Sequence, residues 1–306
     1  IEAVSALAPL HNPANLIGIK AAQVAFPGIP QVAVFDTAFH QTMPEKAYMY
    51  AIDKEHYKEK GIRRYGFHGT SHEYVAELAA EYMQADLNAL RVITCHLGNG
   101  ASVTAVEYGR SVETSMGMTP LEGLVMGTRS GDVDPGILLH VAREEEMSMK
   151  DLDQLLNKKS GLVGLSGLSN DMRDIIEKST DGDENCRLAL QVFTHRLRKY
   201  IGAYAAVMGG VDAIVFTGGI GENSPVIRHR TTQRLDFLGA IINEDKNHDI
   251  KLSDESPVQD FSMQHSRVKL LAVKTNEQYA IAQEALRIIQ EKTKVNTVPT
   301  IPIAVS

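Results

Sequence analysis

Residues 92–102 read VITCHLGNGAS, and residues 214–223 read IVFTGGIGEN. Each segment is a short apolar run, typical of a buried β-strand, that ends in a glycine-rich turn. Glycine lets backbone amides approach an anion without a side chain in the way, and it supplies the positive φ angles that such turns need. One such turn is a weak signal. Two of them, about a domain's length apart, predict a cleft that binds a phosphorylated ligand at two points.

The sequence around these two segments alternates between helical and strand patterns. Apolar periodicity predicts helices over residues 14–25, 70–83, 135–157, 185–208 and 275–291, with Thr70 or Ser71 as a cap of the second. Strands are predicted over residues 31–35, 90–96, 211–217 and 268–273, and a hairpin from residues 101–106 and 111–115. The alternation predicts an α/β protein with a mainly parallel or mixed sheet.

Composition narrows the class of protein. A chain of 306 residues is long enough for two ordinary domains or one large one, and its net charge of −7 argues against a nucleic-acid partner. Cys95 and Cys186 are far apart, which excludes a disulfide framework or a cysteine zinc site and fits a reducing compartment. No apolar stretch approaches the roughly 20 residues that span a membrane. We therefore expect a cytoplasmic protein without a membrane partner.

The opening of the chain is unusual. The first residue is Ile1, and residues 1–7 read like the interior of a helix. We expect the sequence to be the later part of a longer polypeptide.

The segment GFHGTSH, residues 66–72, contains two histidines four positions apart. His68 and His72 could together bind zinc, but the glutamate of a His-Glu-x-x-His site is replaced here by Gly69 and Thr70. For His72 the pattern favours a buried histidine whose ring nitrogens form hydrogen bonds with the backbone. The flanking glycines leave His68 room to face a ligand.

Arg129 stands between two glycines in the segment MGTRSGD, residues 126–132. A guanidinium group presents a planar fork of donors that matches a phosphate or a carboxylate. The alternative is a surface arginine on a flexible loop, because such a short motif is not specific.

Two acidic residues follow predicted elements. Asp36 comes directly after the predicted strand 31–35, where catalytic acids often lie in α/β sheets, although it could equally begin a turn. Glu277 lies in the segment TNEQ, which reads as a capping box with Thr275 at the N-cap and Gln278 three residues later. The carboxylate of Glu277 could therefore either stabilise the helix by its interaction with the positive end of the helix dipole or help to hold a metal ion.

Five segments occur together in an order typical of one family. They are VFDTAFH (34–40), the segment 65–72, the segment 95–102, the segment 126–131 and the segment 217–224. With them the chain resembles the acetokinase family, within the sugar-kinase, Hsp70 and actin superfamily, from residue 8 to residue 277. This resemblance implies an actin-like ATPase fold, related to ribonuclease H, with two duplicated α/β domains around a cleft.

The resemblance also implies a domain division. Residues 1–38 would be the remainder of the N-terminal domain, completed by residues 275–306, and residues 39–274 would be the C-terminal domain for nucleotide binding and dimerisation. Family members begin with a strand and an Asn-x-Gly-Ser-Ser-Ser turn that holds phosphate, and this sequence has neither. We expect the N-terminal part of the enzyme to be missing and the chain alone to have little or no activity.

The activity implied by the resemblance is reversible, direct in-line phosphoryl transfer between ATP and acetate, giving acetyl phosphate and ADP. The implied cofactor is Mg²⁺, with Mn²⁺ as an alternative, and the implied assembly is a homodimer. Three alternatives stay open: a propionate or butyrate kinase of the same family, a chaperone-like or sensory ATP-binding protein, and a non-catalytic nucleotide-binding fragment.

The same resemblance assigns roles to residues of this sequence. Catalytic roles fall on Asp36, His68 and Arg129, and a metal-linked role falls on Glu277. Nucleotide binding falls on His96, Leu97, Gly98, Asn99, Gly100, Asp171, Met172, Arg173, Gly219, Ile220, Gly221, Glu222 and Asn223. The acetate pocket falls on Leu10, His11, Phe67 and Pro120.

Overall fold

The structure, a computed structural model, describes residues 1–2 and 12–296, with the backbone alone for residues 292–296. The chain divides into two compact units. One unit combines the chain up to Phe35 with the chain from Asn276 onward, and the other runs from Asp36 to Thr275. The assignment of these units to the two domains of the family stays a prediction.

The helices of both units are numbered in chain order. They are α1 (Asn12–Ala25), α2 (Glu45–Tyr48), α3 (Glu55–Lys60), α4 (Gly69–Tyr82), α5 (Pro135–Glu144), α6 (Met149–Lys158), α7 (Gly161–Ser166), α8 (Met172–Thr180), α9 (Glu184–Val207), α10 (Gly218–Asn223), α11 (Pro225–Thr232), α12 (Glu244–His248) and α13 (Glu277–Asn296). Among the described residues, no helix combines the length and the apolar character needed to cross a membrane.

The larger unit is built on one mixed sheet. Its strands are β1 (Arg91–Leu97), β2 (Ala101–Glu107), β3 (Arg110–Thr114), β4 (Ala213–Thr217), β5 (Val258–Asp260) and β6 (Lys269–Val273). Their order is β3-β2-β1-β4-β6-β5, with β4 parallel to both β1 and β6 and the remaining pairs antiparallel. The register pairs His96 with Thr217, so both glycine segments begin at the same edge of the sheet. The predicted mixed α/β fold is confirmed.

Both faces of this sheet are covered. Ile93 and Phe216 belong to a core cluster that includes side chains of α9, whereas Val92 and Val215 belong to a second cluster with side chains of α4. Successive residues of a strand point to opposite faces, so a sheet covered on both sides has continuous apolar strands. This burial explains why the strands before the glycine turns are apolar at nearly every position. Cys95 and Cys186 are buried and unpaired.

Several predicted elements have different bounds in the structure. Residues 31–35 form no strand, because an alternating pattern becomes a strand only where a second strand takes up its hydrogen bonds, and no described strand does so. The predicted helix 135–157 is two helices, α5 and α6. The break includes Glu146 with a φ of 50°, and a new capping box from Ser148 to Asp151 begins α6.

Two predicted helix starts are also wrong. The N-cap position of α4 is His68, so neither Thr70 nor Ser71 caps that helix. At α13, the backbone N–H of Tyr279 donates to Asn276 Oδ1, which replaces the predicted capping box on Thr275. In addition, residues after Thr217 form the short helix α10 rather than an open turn.

Neighbouring glycines at the start of α10 give opposite predictions for stability. Gly218 has a φ of +74°, and an added Cβ would lie 2.8 Å from the carbonyl oxygen of Leu97. We expect Gly218→Ala to lower the free energy of unfolding by about 2–4 kcal/mol, from the left-handed strain and the forced backbone shift.

Gly219 is the matched control, because nothing lies within 4 Å of its added Cβ. Gly219→Ala should leave stability unchanged or raise it by up to about 1 kcal/mol, since alanine favours helix. Urea denaturation measures the free energy of unfolding of both variants and of the parent chain. Equal losses at the two positions would contradict this account of the turn.

Candidate active site

The first glycine turn connects β1 to β2 and is fixed by its own backbone. The N–H of Gly98 donates to the carbonyl of Gly100 at 3.0 Å, and the N–H of Gly127 donates to the carbonyl of Asn99 at 3.0 Å. A Cβ added at Gly127 would lie only 2.0 Å from Asn99 Oδ1. The loop that carries Arg129 therefore contacts this turn directly, and Gly127 makes the close approach possible.

His68 and Arg129 lie together beside Gly100. A Cβ added at Gly100 would be 3.4 Å from Arg129 Nη1 and 3.6 Å from His68 Nε2. Arg129 Nη1 donates to the carbonyl of Pro120 at 3.1 Å, and no carboxylate of the described residues pairs with this guanidinium. Burial lowers the pKa of Arg129 from its ordinary value. The arrangement leaves a cation and an imidazole nitrogen directed at one small space.

Asp36 holds the backbone of His68 in place. Its Oδ2 accepts a hydrogen bond of 2.7 Å from the N–H of His68, and its carbonyl accepts one of 2.8 Å from the N–H of Gly69. His68 has a φ of 56°, in the left-handed region that is costly for a residue with a Cβ. A Cβ at Gly69 would lie 2.4 Å from the Asp36 carbonyl, so the glycine beside His68 is required by packing.

Four histidines form a cluster behind this site: His40, His68, His72 and His96. The ring of His68 stacks on that of His96 at 4.2 Å between centroids, and His72 lies 5.8–6.4 Å from the other three rings. Burial lowers the pKa of His40 and of His68 to about 4, and that of His96 to about 3. The pKa of His72 is also well below its ordinary value, first because of burial. All four rings are neutral at neutral pH.

The hydrogen bonds of His72 correct one expectation. Its Nδ1 lies 2.7 Å from Thr94 Oγ1 and its Nε2 lies 2.7 Å from Ser102 Oγ, so hydroxyl groups rather than the backbone satisfy this buried ring. Both ring nitrogens are thus occupied. Across the described part of the chain there is no group of three or more His, Cys, Asp or Glu side chains able to hold a metal ion.

The two glycine segments also share a large cavity of about 780 Å³. Among its lining residues are eight of the residues named for nucleotide binding: Gly98, Asn99, Asp171, Met172, Arg173, Gly219, Ile220 and Asn223. Sequence reasoning did not single out the others: Asn170, Ile176, Glu177, Ser224, Pro225 and Val226. Asp171 caps α8 by accepting from the N–H of Arg173, and its ion pair with that arginine holds the pKa of the carboxyl at about 2.

The remaining candidates for nucleotide binding do not line this cavity. His96 belongs to the histidine cluster, Leu97 and Gly221 are buried, and Gly100 faces His68. Glu222 is turned toward the protein backbone, because its Oε1 accepts from the N–H groups of Gly218 and Thr275 at 3.0 and 3.1 Å. It therefore fixes the end of β4 and does not face the cavity.

The candidates for the acetate pocket and the metal are only partly described. Pro120 contacts Arg129 as given above, and the carbonyl of Phe67 accepts from His40 Nε2 at 2.9 Å. Leu10 and His11 lie outside the described residues. Glu277 is the first residue of α13 and belongs to the smaller unit, so its role stays a prediction.

Comparison with known proteins identifies the family. The acetokinase family matches residues 1–283. The chain belongs to the acetokinase family. Among curated family members, the acetate kinase of Halothermothrix orenii is 57% identical over 290 residues, which is 95% of this chain and 72% of that protein. The acetate kinase of Thermotoga maritima is 57% identical over 292 residues, with the same two shares.

Solved structures of acetokinases have the same fold. The crystal structure of Porphyromonas gingivalis acetate kinase matches with a TM-score of 0.90 and 46% identity, over 94% of this chain and 71% of that one. The crystal structure of a propionate kinase from Francisella tularensis matches with a TM-score of 0.86 and 46% identity, over 92% of this chain and 71% of that one. The expected α/β fold of the actin-like ATPase type is confirmed.

The histidine cluster makes stability depend on pH. A histidine whose pKa is lowered in the folded state binds its proton in the unfolded state below pH ~6.5, so its contribution is complete above that pH and is lost as the pH falls toward 4. We expect the free energy of unfolding to fall by more than about 2 kcal/mol between pH 7 and pH 5.

Urea denaturation at steps of 0.5 pH unit measures how the free energy of unfolding changes with pH. The variant His140→Gln removes an exposed histidine outside the cluster and should show the same slope as the parent. A free energy of unfolding that stays constant from pH 7 to pH 5 would show that the cluster is not buried and neutral.

Proposed function

We propose that the enzyme to which this chain belongs is an ATP:acetate phosphotransferase, which reversibly transfers the terminal phosphoryl group of ATP to acetate and gives acetyl phosphate and ADP. Family membership supports the reaction, and one structural observation supports the site. His68 and Arg129 lie over Gly100, in the same turn as Gly98 and Asn99, which line the 780 Å³ cavity. A nucleotide in the cavity would direct its terminal phosphate along this turn to both side chains.

Phosphoryl transfer to acetate requires that the protein position the two substrates and neutralise the negative charge of the transferring group. Acetate is ionised at neutral pH, because carboxyl pKa values lie near 4, and its oxygen needs no general base to attack phosphorus. Arg129 offers its planar donors to the oxygens of the transferring group, and neutral His68 offers a hydrogen bond without charge. Asp36 orients His68 through the backbone and removes no proton.

The cavity suits an adenosine group. Its volume of about 780 Å³ lies within the range of ordinary ligand pockets, and its walls include the apolar side chains of Met172, Ile176, Ile220, Pro225 and Val226. Gly98 and Gly219 line the cavity, and because neither has a side chain, phosphate groups can approach the backbone closely there.

The family implies Mg²⁺, or Mn²⁺ in its place, and the residues present fit such an ion. Mg²⁺ keeps several waters and binds through one or two carboxylates and the phosphates of the substrate, so it needs no dedicated cage of side chains. Asp36 is exposed and its Oδ1 accepts no hydrogen bond from the described residues. Asp36 would hold waters of the ion, and the ion would supply positive charge to the phosphates. The family resemblance implies a metal-linked role for Glu277 as well.

We extend the family's assembly and domain division to this chain. Residues 39–274 form the C-terminal domain, which serves nucleotide binding and dimerisation in a cytoplasmic homodimer. Residues 1–38, completed by residues 275–306, are the remainder of the N-terminal domain. Phe67 and Pro120 serve the acetate pocket, to which the family resemblance also assigns Leu10 and His11.

A propionate kinase is the second candidate, favoured by the structural match to the Francisella tularensis enzyme at 46% identity. Initial rates on acetate, propionate and butyrate separate the two, and so does the dependence of ADP formation on the acid. We expect kcat/KM to be highest with acetate. ADP formation that does not depend on the added acid would contradict both candidates and favour a chaperone-like or sensory ATP-binding protein.

Arg129 provides a sharp test of the site. In an enzyme of full family length that carries this chain, Arg129→Ala should lower kcat about 10³-fold, the scale of losing one stabiliser of the transferring group. The control Arg110→Ala removes an exposed arginine of β3 and should retain normal turnover. Near-normal turnover of Arg129→Ala would refute the assignment.

The 306 residues alone should turn over little, because they span only 71–72% of the matched relatives. A hydroxamate assay for acetyl phosphate measures this directly. Acetyl phosphate formation by the chain alone at the rate of the longer enzyme would overturn the expectation.

A further inference from the structure

A chain of buried hydrogen bonds leads to the imidazole of His68. Thr94 Oγ1 lies 2.7 Å from His72 Nδ1, His72 Nε2 lies 2.7 Å from Ser102 Oγ, and Ser102 Oγ lies 2.8 Å from His68 Nδ1. Thr94, His72 and Ser102 are completely buried. The far end of this chain, His68 Nε2, makes no hydrogen bond with the described residues and lies beside Gly100 with Arg129.

Three arrangements of protons satisfy the three contacts with neutral rings. In one of them Ser102 Oγ accepts from both rings, which places the proton of His68 on Nδ1 but leaves the buried O–H of Ser102 with no acceptor among the described residues. In the other two, all donors point the same way along the three contacts. In the first, the Thr94 hydroxyl donates to His72 Nδ1, His72 Nε2–H donates to Ser102, and the Ser102 hydroxyl donates to His68 Nδ1. The proton of His68 is then on Nε2. In the second, every donor is reversed, so His68 Nδ1 carries the proton and Nε2 is left with a bare lone pair.

The hydroxyl of Thr94 decides between them. In the second arrangement Thr94 accepts from His72, and its own O–H finds no other acceptor among the described residues although the side chain is completely buried. Leaving this donor without an acceptor disfavours the second arrangement relative to the first by roughly 5- to 150-fold. In the first arrangement both buried hydroxyls donate to an imidazole nitrogen, and only the Nε2–H of His68, beside Gly100, is left for a ligand. Burial keeps the pKa of His68 near 4, so the ring is neutral and the choice of tautomer matters.

We propose that Thr94, His72 and Ser102 are positioning residues that hold His68 in the tautomer with its proton on Nε2, so that a neutral N–H faces the transferring phosphoryl group. The role in catalysis rests on the proposed function, whereas the tautomer does not. A phosphoryl group is rich in negative charge, and the opposite tautomer would direct a lone pair at it. The tautomer of His68 is thus selected by the hydroxyl of Thr94, which lies on strand β1.

Nitrogen NMR reads the tautomer without substrate. In the 306-residue chain labelled with ¹⁵N-histidine, long-range correlations should give His68 a protonated Nε2 and an unprotonated Nδ1. The signals are assigned by their loss in His68→Gln. His40 is the internal control, because its Nε2 must donate to the carbonyl of Phe67. A His68 protonated on Nδ1 in the parent chain overturns the proposal, whatever the variants do.

Two variants of one residue test the origin of the preference. Thr94→Val removes the hydroxyl and keeps the shape, so both tautomers of His68 should become visible while His40 is unchanged. Thr94→Ser restores the hydroxyl and should restore the parent spectrum. A folded Thr94→Val chain with the tautomer of the parent would contradict the role of Thr94.

Kinetics then connect the tautomer to the reaction. In an enzyme of full family length, Thr94→Val should lower kcat about two- to fivefold, in proportion to the competent tautomer lost, with KM for acetate unchanged and kcat recovered in Thr94→Ser. An unchanged kcat with mixed tautomers would remove the catalytic role. The absence of acetate-dependent turnover in the parent enzyme would overturn the proposed function and leave the spectroscopic result standing.

Discussion

The parallel pairing of β1 with β4 is the constraint on which the site depends. Because the register pairs His96 with Thr217, both strands end together and their glycine segments begin at one edge of the sheet. The sheet is buried on both faces, so this edge cannot shift without disturbing two core clusters. The cavity, the turn at Gly100 and the carboxylate of Glu222 all take their positions from this pair of strands.

Burial also sets the electrostatics around that edge. The histidine cluster is neutral at neutral pH because desolvation disfavours each imidazolium, and the positive charge of Arg129 lowers the pKa of His68 further. Arg129 is therefore a cation set against neutral polar groups, with no carboxylate of the described chain to pair with it. An anion that enters this space meets one full charge and oriented donors, in surroundings where both are strengthened by partial exclusion of water.

The sequence predicts well those features that depend on neighbouring residues along the chain, and poorly those that depend on a distant partner. Continuous apolar runs and long periodicity located β1, β4 and α9 within two residues of their observed bounds. Residues 31–35 and the cap of α13 were mispredicted, because each depends on which partner is present in the folded chain. The motifs around His68 and Arg129 were found from sequence and resemblance. The hydroxyl partners of His72 were not, since Thr94 and Ser102 lie 22 and 30 residues away along the chain.

We propose that His68 and Arg129 together hold the phosphoryl group as it moves between ATP and acetate. A crystal structure of the enzyme at full family length, with ADP, acetate and a planar metal fluoride that mimics the transferring group, tests it most directly. If both side chains hold the group, fluoride ligands will lie within hydrogen-bond distance of His68 Nε2 and of the Arg129 guanidinium, beside Gly100. A mimic that is ordered between ADP and acetate yet contacts neither side chain would contradict it.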